Sequence, residues 1–168
     1  MDSTLKAYIA HAKPTTVLDV GVGAGKVGAL VKAACPTATV HGIEVHKPYF
    51  TEFAEAYKRY TSVANADYRT WMATHVDWKH DMVIFSDVLE HFNWSEVMDA
   101  LHFTAYRSKW IACVWPERCA QGSSHGNVLE AHRCVISLAD LARFNVIRYA
   151  KSDSNGYWKH AALIRGWV

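Results

Sequence analysis

Three groups of residues in this 168-residue chain have the types and spacing to do chemistry. The first is Asp19 with Gly21, Gly23 and Gly25, a carboxylate followed by glycines on alternate positions. Only a residue without a side chain lets the backbone turn sharply and lie directly against a ligand, so the spacing describes a ligand loop. The second is a pair of single acids, Glu44 and Asp67, able to accept hydrogen bonds from hydroxyl or amino groups. The third comprises groups suited to proton transfer: His91, His125 and His132, with Glu130 two residues before His132 and able to fix its tautomer.

The elements around these residues follow from apolar periodicity. Residues 17–20, VLDV, form a short apolar run broken by one acid, the pattern of a buried parallel strand. Residues 26–34 carry Val27, Leu30, Val31 and Ala34 at helical spacing, and Pro36 stops that helix. Residues 39–43 form a second strand that ends in Glu44, a position from which a carboxylate can accept both hydroxyls of a ribose. The unit is strand, glycine loop, helix, strand, acid: the nucleoside-binding half of a doubly wound sheet.

The loop's details separate its possible ligands. A phosphate-gripping P-loop needs a glycine where Val20 stands and a serine or threonine where Val27 stands. Gly23, Gly25 and Gly28 do match the dinucleotide pattern G-x-G-x-x-G. Against it, an acid closing the first strand repels a pyrophosphate and suits a ligand that carries an ammonium group. The combination D-x-G-x-G-x-G from Asp19 to Gly25 resembles motif I of the class I S-adenosylmethionine-dependent methyltransferases. A second resemblance lies at residues 86–92, SDVLEHF, because many members of that family carry D-V-L-E-H after the fourth strand.

The resemblance implies an α/β fold: a doubly wound, mostly parallel seven-stranded sheet closed by a C-terminal antiparallel hairpin. It also implies S-adenosylmethionine as cofactor. Asp19, Gly21, Gly23 and Gly25 would hold its methionine part, Glu44 and Val45 its ribose, and Asp67 and Tyr68 its adenine. Ser86, Asp87 and His91 would form the floor on the acceptor side. Neither N/D-P-P-Y/F/W nor a Pro-Cys nucleophile follows the fourth strand, which argues against attack on an exocyclic base amine or on cytosine carbon-5. Two rival readings stay open: a catalytically silent cofactor-binding partner subunit, and a nicotinamide-dependent enzyme using Gly23, Gly25 and Gly28.

The rest of the chain fits this frame. Residues 1–16 hold a short helix with Leu5, Tyr8, Ile9 and Ala12 on one face, either packed on the sheet or closing over the cofactor. Residues 48–60 predict a helix, 61–66 a third strand, 81–86 a fourth, 93–106 a helix and 109–115 a fifth strand. Residues 116–136 form a polar loop far longer than the usual connection of about 4 to 6 residues, as functional loops often are, and it lies on the acceptor side. It resembles a Gly-Asn, Glu-x-His-Arg segment of some compact methyltransferases, with Ile136 where those have an aromatic. Ser137 caps a helix over residues 138–144. Strands over 145–149 and 157–165 flank the turn Ser152-Asp153-Ser154-Asn155-Gly156.

Composition sets further bounds. One domain spans residues 1–168, with little room for a separate recognition module. Lys plus Arg number 18 against 16 Asp plus Glu, a net charge of +2 without a basic run, so a small-molecule acceptor is favoured over peptide or RNA. No apolar run reaches the ~20 residues needed to span a bilayer, and the chain reads as soluble and cytoplasmic with reduced cysteines. Cys119, His125, His132 and Cys134 lack the short paired spacing of zinc sites, so no metal is expected. Trp94 and Trp115 are candidates to wall a planar acceptor.

Overall fold

The computed structural model describes all residues except His125 and Asn155, and the backbone but not the side chain of Ser154. The strands are β1 (Thr16–Val20), β2 (Thr39–Glu44), β3 (Ser62–Asn65), β4 (His80–Ser86), β5 (Ser108–Pro116), β6 (Asn145–Ser154) and β7 (Tyr157–Arg165). They form one seven-stranded sheet in the order β3-β2-β1-β4-β5-β7-β6. The first five run parallel, and β7 is antiparallel to both β5 and β6. This is the doubly wound sheet with a closing hairpin that the sequence predicts. Chain progression reverses between β1 and β4, so the crevice beyond their carboxyl ends is the switch point where open α/β sheets bind ligands.

Side chains alternate along each strand, and both faces of the central strands are covered. Leu18, Val83, Phe85, Ile111, Cys113, Trp115 and Ile164 face one core. It is shared with Tyr68 from α5 (Tyr68–Thr74) and with Val97 and Leu101 from α6 (Trp94–Ala105). Val17, Met82, Ile84, Ala112, Val114 and Leu163 face the opposite core with Leu5 and Ile9 from α1 (Asp2–Ala12) and Val27 and Val31 from α2 (Lys26–Ala34). Burial on both faces explains why β4 and β5 read as continuous apolar runs. It also places α1: Leu5 and Ile9 are fully buried and the Tyr8 hydroxyl donates to the Ala161 carbonyl at 3.4 Å. The N-terminal helix is packing, not a cover for the pocket.

Local chemistry moved several boundaries. The helix predicted over residues 48–60 is two single turns, α3 (Tyr49–Glu52) and α4 (Ala54–Tyr57), broken at Phe53 with φ −111°. Its aromatic residues have modest helix propensity and pack in a chain, Tyr49 on Phe53 and Phe50 on Tyr57, rather than along one face. Helix α5 was not foreseen, although Asp67 signals it by capping the Arg69 N–H at 2.9 Å. After Ser137 there is a 3-10 turn, Leu138–Leu141, held by a Ser137/Asp140 capping box, in place of an α-helix to Phe144. Strand β6 runs on to Ser154, and of the turn that follows, Asn155 lies outside the described residues. Among the described residues no helix is long and apolar enough to cross a membrane.

Trp115 is fully buried, its indole N–H donates to the Ile136 carbonyl at 2.9 Å, and His160 stacks on it with ring centroids 5.3 Å apart. It is therefore a core residue that ties the long loop to the sheet, not a wall for an acceptor. Trp94 is half-exposed and bonded to Asp140, away from the pocket. Trp115→Phe should cost about 1 to 3 kcal/mol through the cavity and the unpaired carbonyl, read as a lower urea midpoint at unchanged m-value. Wild-type stability in this variant would detach the loop from Trp115.

Candidate cofactor pocket

A cavity of about 380 Å³ opens beyond the carboxyl ends of β1, β2 and β4. That volume lies within the range of small-molecule sites. One wall is the glycine loop. Gly21 has φ +75°, and a Cβ there would stand 2.4 Å from the Val88 side chain, so the turn tolerates no larger residue. Gly23, at φ +50°, has nothing within 4 Å of its would-be Cβ because that side faces the cavity. Gly25 begins α2 and does not reach the cavity lining.

Glu44 sets the loop's position. Its Oε2 accepts the Gly23 N–H at 2.8 Å and its Oε1 accepts the His46 N–H at 2.7 Å, while the residue still lines the cavity. Each oxygen keeps a second lone pair for a ligand hydroxyl. Val45 and Tyr68 line the same wall.

Asp19 was expected against the ligand, but the structure places it behind the loop. Because side chains alternate along β1, it points with Val17 towards the core under α1 and α2. The Tyr60 hydroxyl donates to its Oδ2 at 2.6 Å and accepts the Gly28 N–H at 2.9 Å, while Oδ1 has no partner. Burial raises the Asp19 pKa to about 7, against the opposing hydrogen bond from Tyr60 and with the Glu44 charge adding to the rise. The same tyrosine covers Gly28: a Cβ there would lie 2.5 Å from its ring. Gly28 therefore serves the close packing of α2 against Tyr60.

The opposite wall carries Asp67, Ser86 and Asp87. Asp67 caps α5 and pairs with the Arg69 guanidinium, which also reaches Glu96 at 3.1 Å. These bonds hold its carboxyl below the usual range in spite of partial burial. Ser86 Oγ is buried and without a partner. Asp87 takes φ +57°, a left-handed conformation that aspartate tolerates, and its carboxylate meets Lys159 at 2.7 Å and Lys26 at 3.8 Å.

The proton-transfer candidates are regrouped. Glu130 faces His91, Oε2 to Nε2 at 3.9 Å, and both line the cavity. The Glu130–His132 pairing suggested by the sequence is not made, because His132 Nδ1 is turned to the Cys119 carbonyl. His132 stands behind His91, ring centroids 5.1 Å apart. Burial lowers the His91 pKa, with Glu130 opposing, so the imidazole is neutral near pH 7. Sequence reasoning missed Glu90, which is 3% exposed, has no partner at Oε2 and is pushed up to about 8 by burial with the charge of Asp87 adding. Its signal was the acid inside D-V-L-E-H. Of the four residues weighed for zinc, His125 lies outside the described residues and Cys134 Sγ donates to the Leu89 carbonyl.

A profile described as a methyltransferase domain matches residues 17–107. The chain belongs to the methyltransferase domain family. It is thereby an S-adenosylmethionine-dependent methyltransferase. The pocket fits that cofactor on its own terms: an open glycine backbone, a carboxylate at the end of β2 and a hydroxyl without a partner at Ser86. Among solved structures, the N-methyltransferase NodS from Bradyrhizobium japonicum WM9 in complex with S-adenosyl-L-homocysteine aligns with TM-score 0.72. Identity is 14%, over 99% of this methyltransferase and 86% of that chain. The N-terminal domain of EvdMO1 with the same compound bound aligns with TM-score 0.68 at 17% identity, covering 98% and 80%. The mitomycin 7-O-methyltransferase MmcR gives 0.65 at 17%, covering 97% and 53%. At these identities the likeness establishes the fold. No curated protein matches the chain.

The buried acid of the methyltransferase has a pH signature. Folded Asp19 keeps its proton up to about pH 7, whereas an aspartate in the unfolded chain loses it near ~3.9. Between those values the folded state binds more protons, so Asp19 favours folding below about pH 4 and its contribution is lost as pH rises to about 7. Melting temperatures taken across that window without cofactor should fall less steeply in Asp19→Asn than in the wild type. Parallel curves would mean that the carboxylate is not protonated in the fold.

Proposed function

We propose that this methyltransferase methylates a small-molecule acceptor, with the glycine loop and Glu44 holding the cofactor and residues of the long loop closing over the acceptor. The observation that carries the reading is the cavity itself, because Asn127, Leu129 and Glu130 of the loop line it together with Gly21 and Gly23. A pocket closed by a loop in this way suits a small acceptor better than an extended polymer. The net charge of +2, spread without a basic run, agrees.

Bound S-adenosylmethionine supplies an electrophilic methyl group on a sulfonium. The chain's own task is to hold the acceptor in line with it and exclude water. The Gly21 to Gly23 backbone lies along the methionine part, the free lone pairs of Glu44 take the ribose hydroxyls, and Asp67 takes the adenine amino group beside Val45 and Tyr68. Asp19 acts from behind, bracing the loop through the Tyr60 hydroxyl that it accepts at 2.6 Å. Ser86 and Asp87 form the floor on the acceptor side. Glu130 receives the acceptor's proton, His91 is fixed beside it, and His132 positions His91 from behind.

Calorimetry with S-adenosylhomocysteine should give one site per chain. Glu44→Ala should weaken it by about 10- to 150-fold, equivalent to the ~1.5 to 3 kcal/mol of a hydrogen bond to a charged group. No heat with the wild type would refute the cofactor assignment, and unchanged affinity in the variant would remove Glu44 from the ribose. With an acceptor found by screening against labelled methyl donor, Glu130→Gln should reduce kcat by about 10² to 10⁴ while cofactor affinity holds. Full turnover in that variant would return Glu130 to a closing role only.

A further inference from the structure

Three potential ligand side chains meet at the edge of the pocket. Glu90 and His91 lie on the 3-10 turn after β4, Leu89–His91, and His132 comes from the long loop after β5. Their ligand atoms all lie within 4.8 Å of one another, and among the described residues they are the group of three so placed. Main-chain bonds from Arg133 N–H at 2.7 Å and Cys134 N–H at 3.4 Å to the Glu90 carbonyl hold the two segments together.

The second observation is the state of each donor. Glu90 is 3% exposed, yet its Oε2 has no hydrogen-bond partner, a costly arrangement for a buried carboxyl group. His91 directs Nδ1 at the Ala131 carbonyl at 3.4 Å, and His132 directs Nδ1 at the Cys119 carbonyl. A proton donated from Nδ1 to a main-chain carbonyl fixes the tautomer that leaves the Nε2 lone pair free, as in metal-ligating histidines.

We propose that Glu90, His91 and His132 bind a divalent first-row transition-metal cation at the edge of the cofactor pocket. Two imidazole nitrogens and one carboxylate suit zinc, manganese, cobalt or iron, whereas magnesium and calcium prefer oxygen alone. Three protein ligands leave coordination positions open towards the cavity, which His91 and Glu130 line. Small rotations of the two imidazoles would bring the donors to the roughly 2.0 to 2.2 Å bonds of such a site. This refines the function proposed above and, in its use, rests on it: the cation would hold an acceptor hydroxyl and lower its pKa, and Glu130, 3.9 Å from His91, would take the released proton. The acceptor is then an oxygen nucleophile, and His91 is a ligand rather than a base.

The protein, freed of metal by chelator and dialysis, is titrated with cobalt, manganese and zinc chlorides by calorimetry and, for cobalt, by visible absorption. One equivalent of transition metal should bind, with magnesium and calcium chlorides much weaker. His132→Ala and Glu90→Gln should each lower cobalt affinity at least tenfold while circular dichroism and S-adenosylhomocysteine affinity stay at wild-type values, since neither residue lines the cavity. Manganese should also broaden the imidazole proton signals of His91 and His132 in the wild type, which decides the matter if a variant fails to fold. Absence of stoichiometric binding, equal affinity in folded His132→Ala, or no selective broadening would overturn the site. Because the compound S-adenosylhomocysteine is titrated separately, cobalt binding without it sinks the methyl-transfer reading and spares the metal, and the converse sinks the metal alone.

Discussion

The pocket depends on a main chain that must face a ligand and so cannot be held by a strand ladder on that side. The end of β2 supplies what the ladder does not. The Ile43 carbonyl accepts the Gly21 N–H at 2.8 Å and the Val22 N–H at 3.3 Å, and the next residue, Glu44, accepts the Gly23 N–H at 2.8 Å. Two successive residues of one strand therefore fix three successive amides of the loop. This works because β1 and β2 are parallel and in register, Val20 opposite Ile43, so the loop leaves β1 at the height where β2 ends. A one-residue slip would turn Glu44 to the opposite face and leave the loop unsupported.

That dependence explains which parts of the fold were legible in the sequence. Strands β1, β4 and β5 are buried on both faces and announce themselves as apolar runs, and the glycine spacing survives because only glycine fits φ +75° against Val88. Ser86 and Asp87 could be placed because the position of a strand end follows from the strand. The fracture at Phe53 was illegible because it depends on which ring each aromatic meets, a tertiary matter. Glu130 was assigned to His132 from neighbourhood in sequence, whereas the chain folds back to set it against His91, 39 positions earlier by number. Asp19 was readable in principle. Leu18 faces one core and Val17 the other, so period two sends Asp19 under α2 and away from the cavity.

Asp19 and Glu90 share a feature that ties stability to function. Each is a buried carboxyl group with one oxygen unpartnered, Oδ1 in Asp19 and Oε2 in Glu90, and burial raises both pKa values, to about 7 and about 8. A core built only for stability would fill such positions with apolar side chains, because an unsatisfied polar atom costs about 1 to 3 kcal/mol. Neither lines the cavity: Asp19 lies behind the glycine loop and Glu90 stands beside His91 on the turn after β4. The cost falls beneath two segments that border the cavity, the glycine loop and the turn after β4. A positive charge bound beside either group would favour its ionised form and so offset the cost of burying it.

The same reasoning bears on the long loop. Residues that close a pocket must be held well enough to exclude water and loosely enough to let the acceptor enter. At the loop's far end the Trp115 indole grips the Ile136 carbonyl and the Glu90 carbonyl receives two amides. The near end is tied to the hairpin, where the Glu117 N–H donates to the Trp158 carbonyl at 2.7 Å and its carboxylate meets Lys151 at 2.8 Å, and the stretch between is held by internal bonds such as Gln121 to the Glu130 carbonyl and the Asn127 side chain to the Leu129 N–H. Gln121 bonds both the Glu130 carbonyl and the His132 N–H, so these two groups move together with the loop rather than apart from it, and closing sets Glu130 against His91.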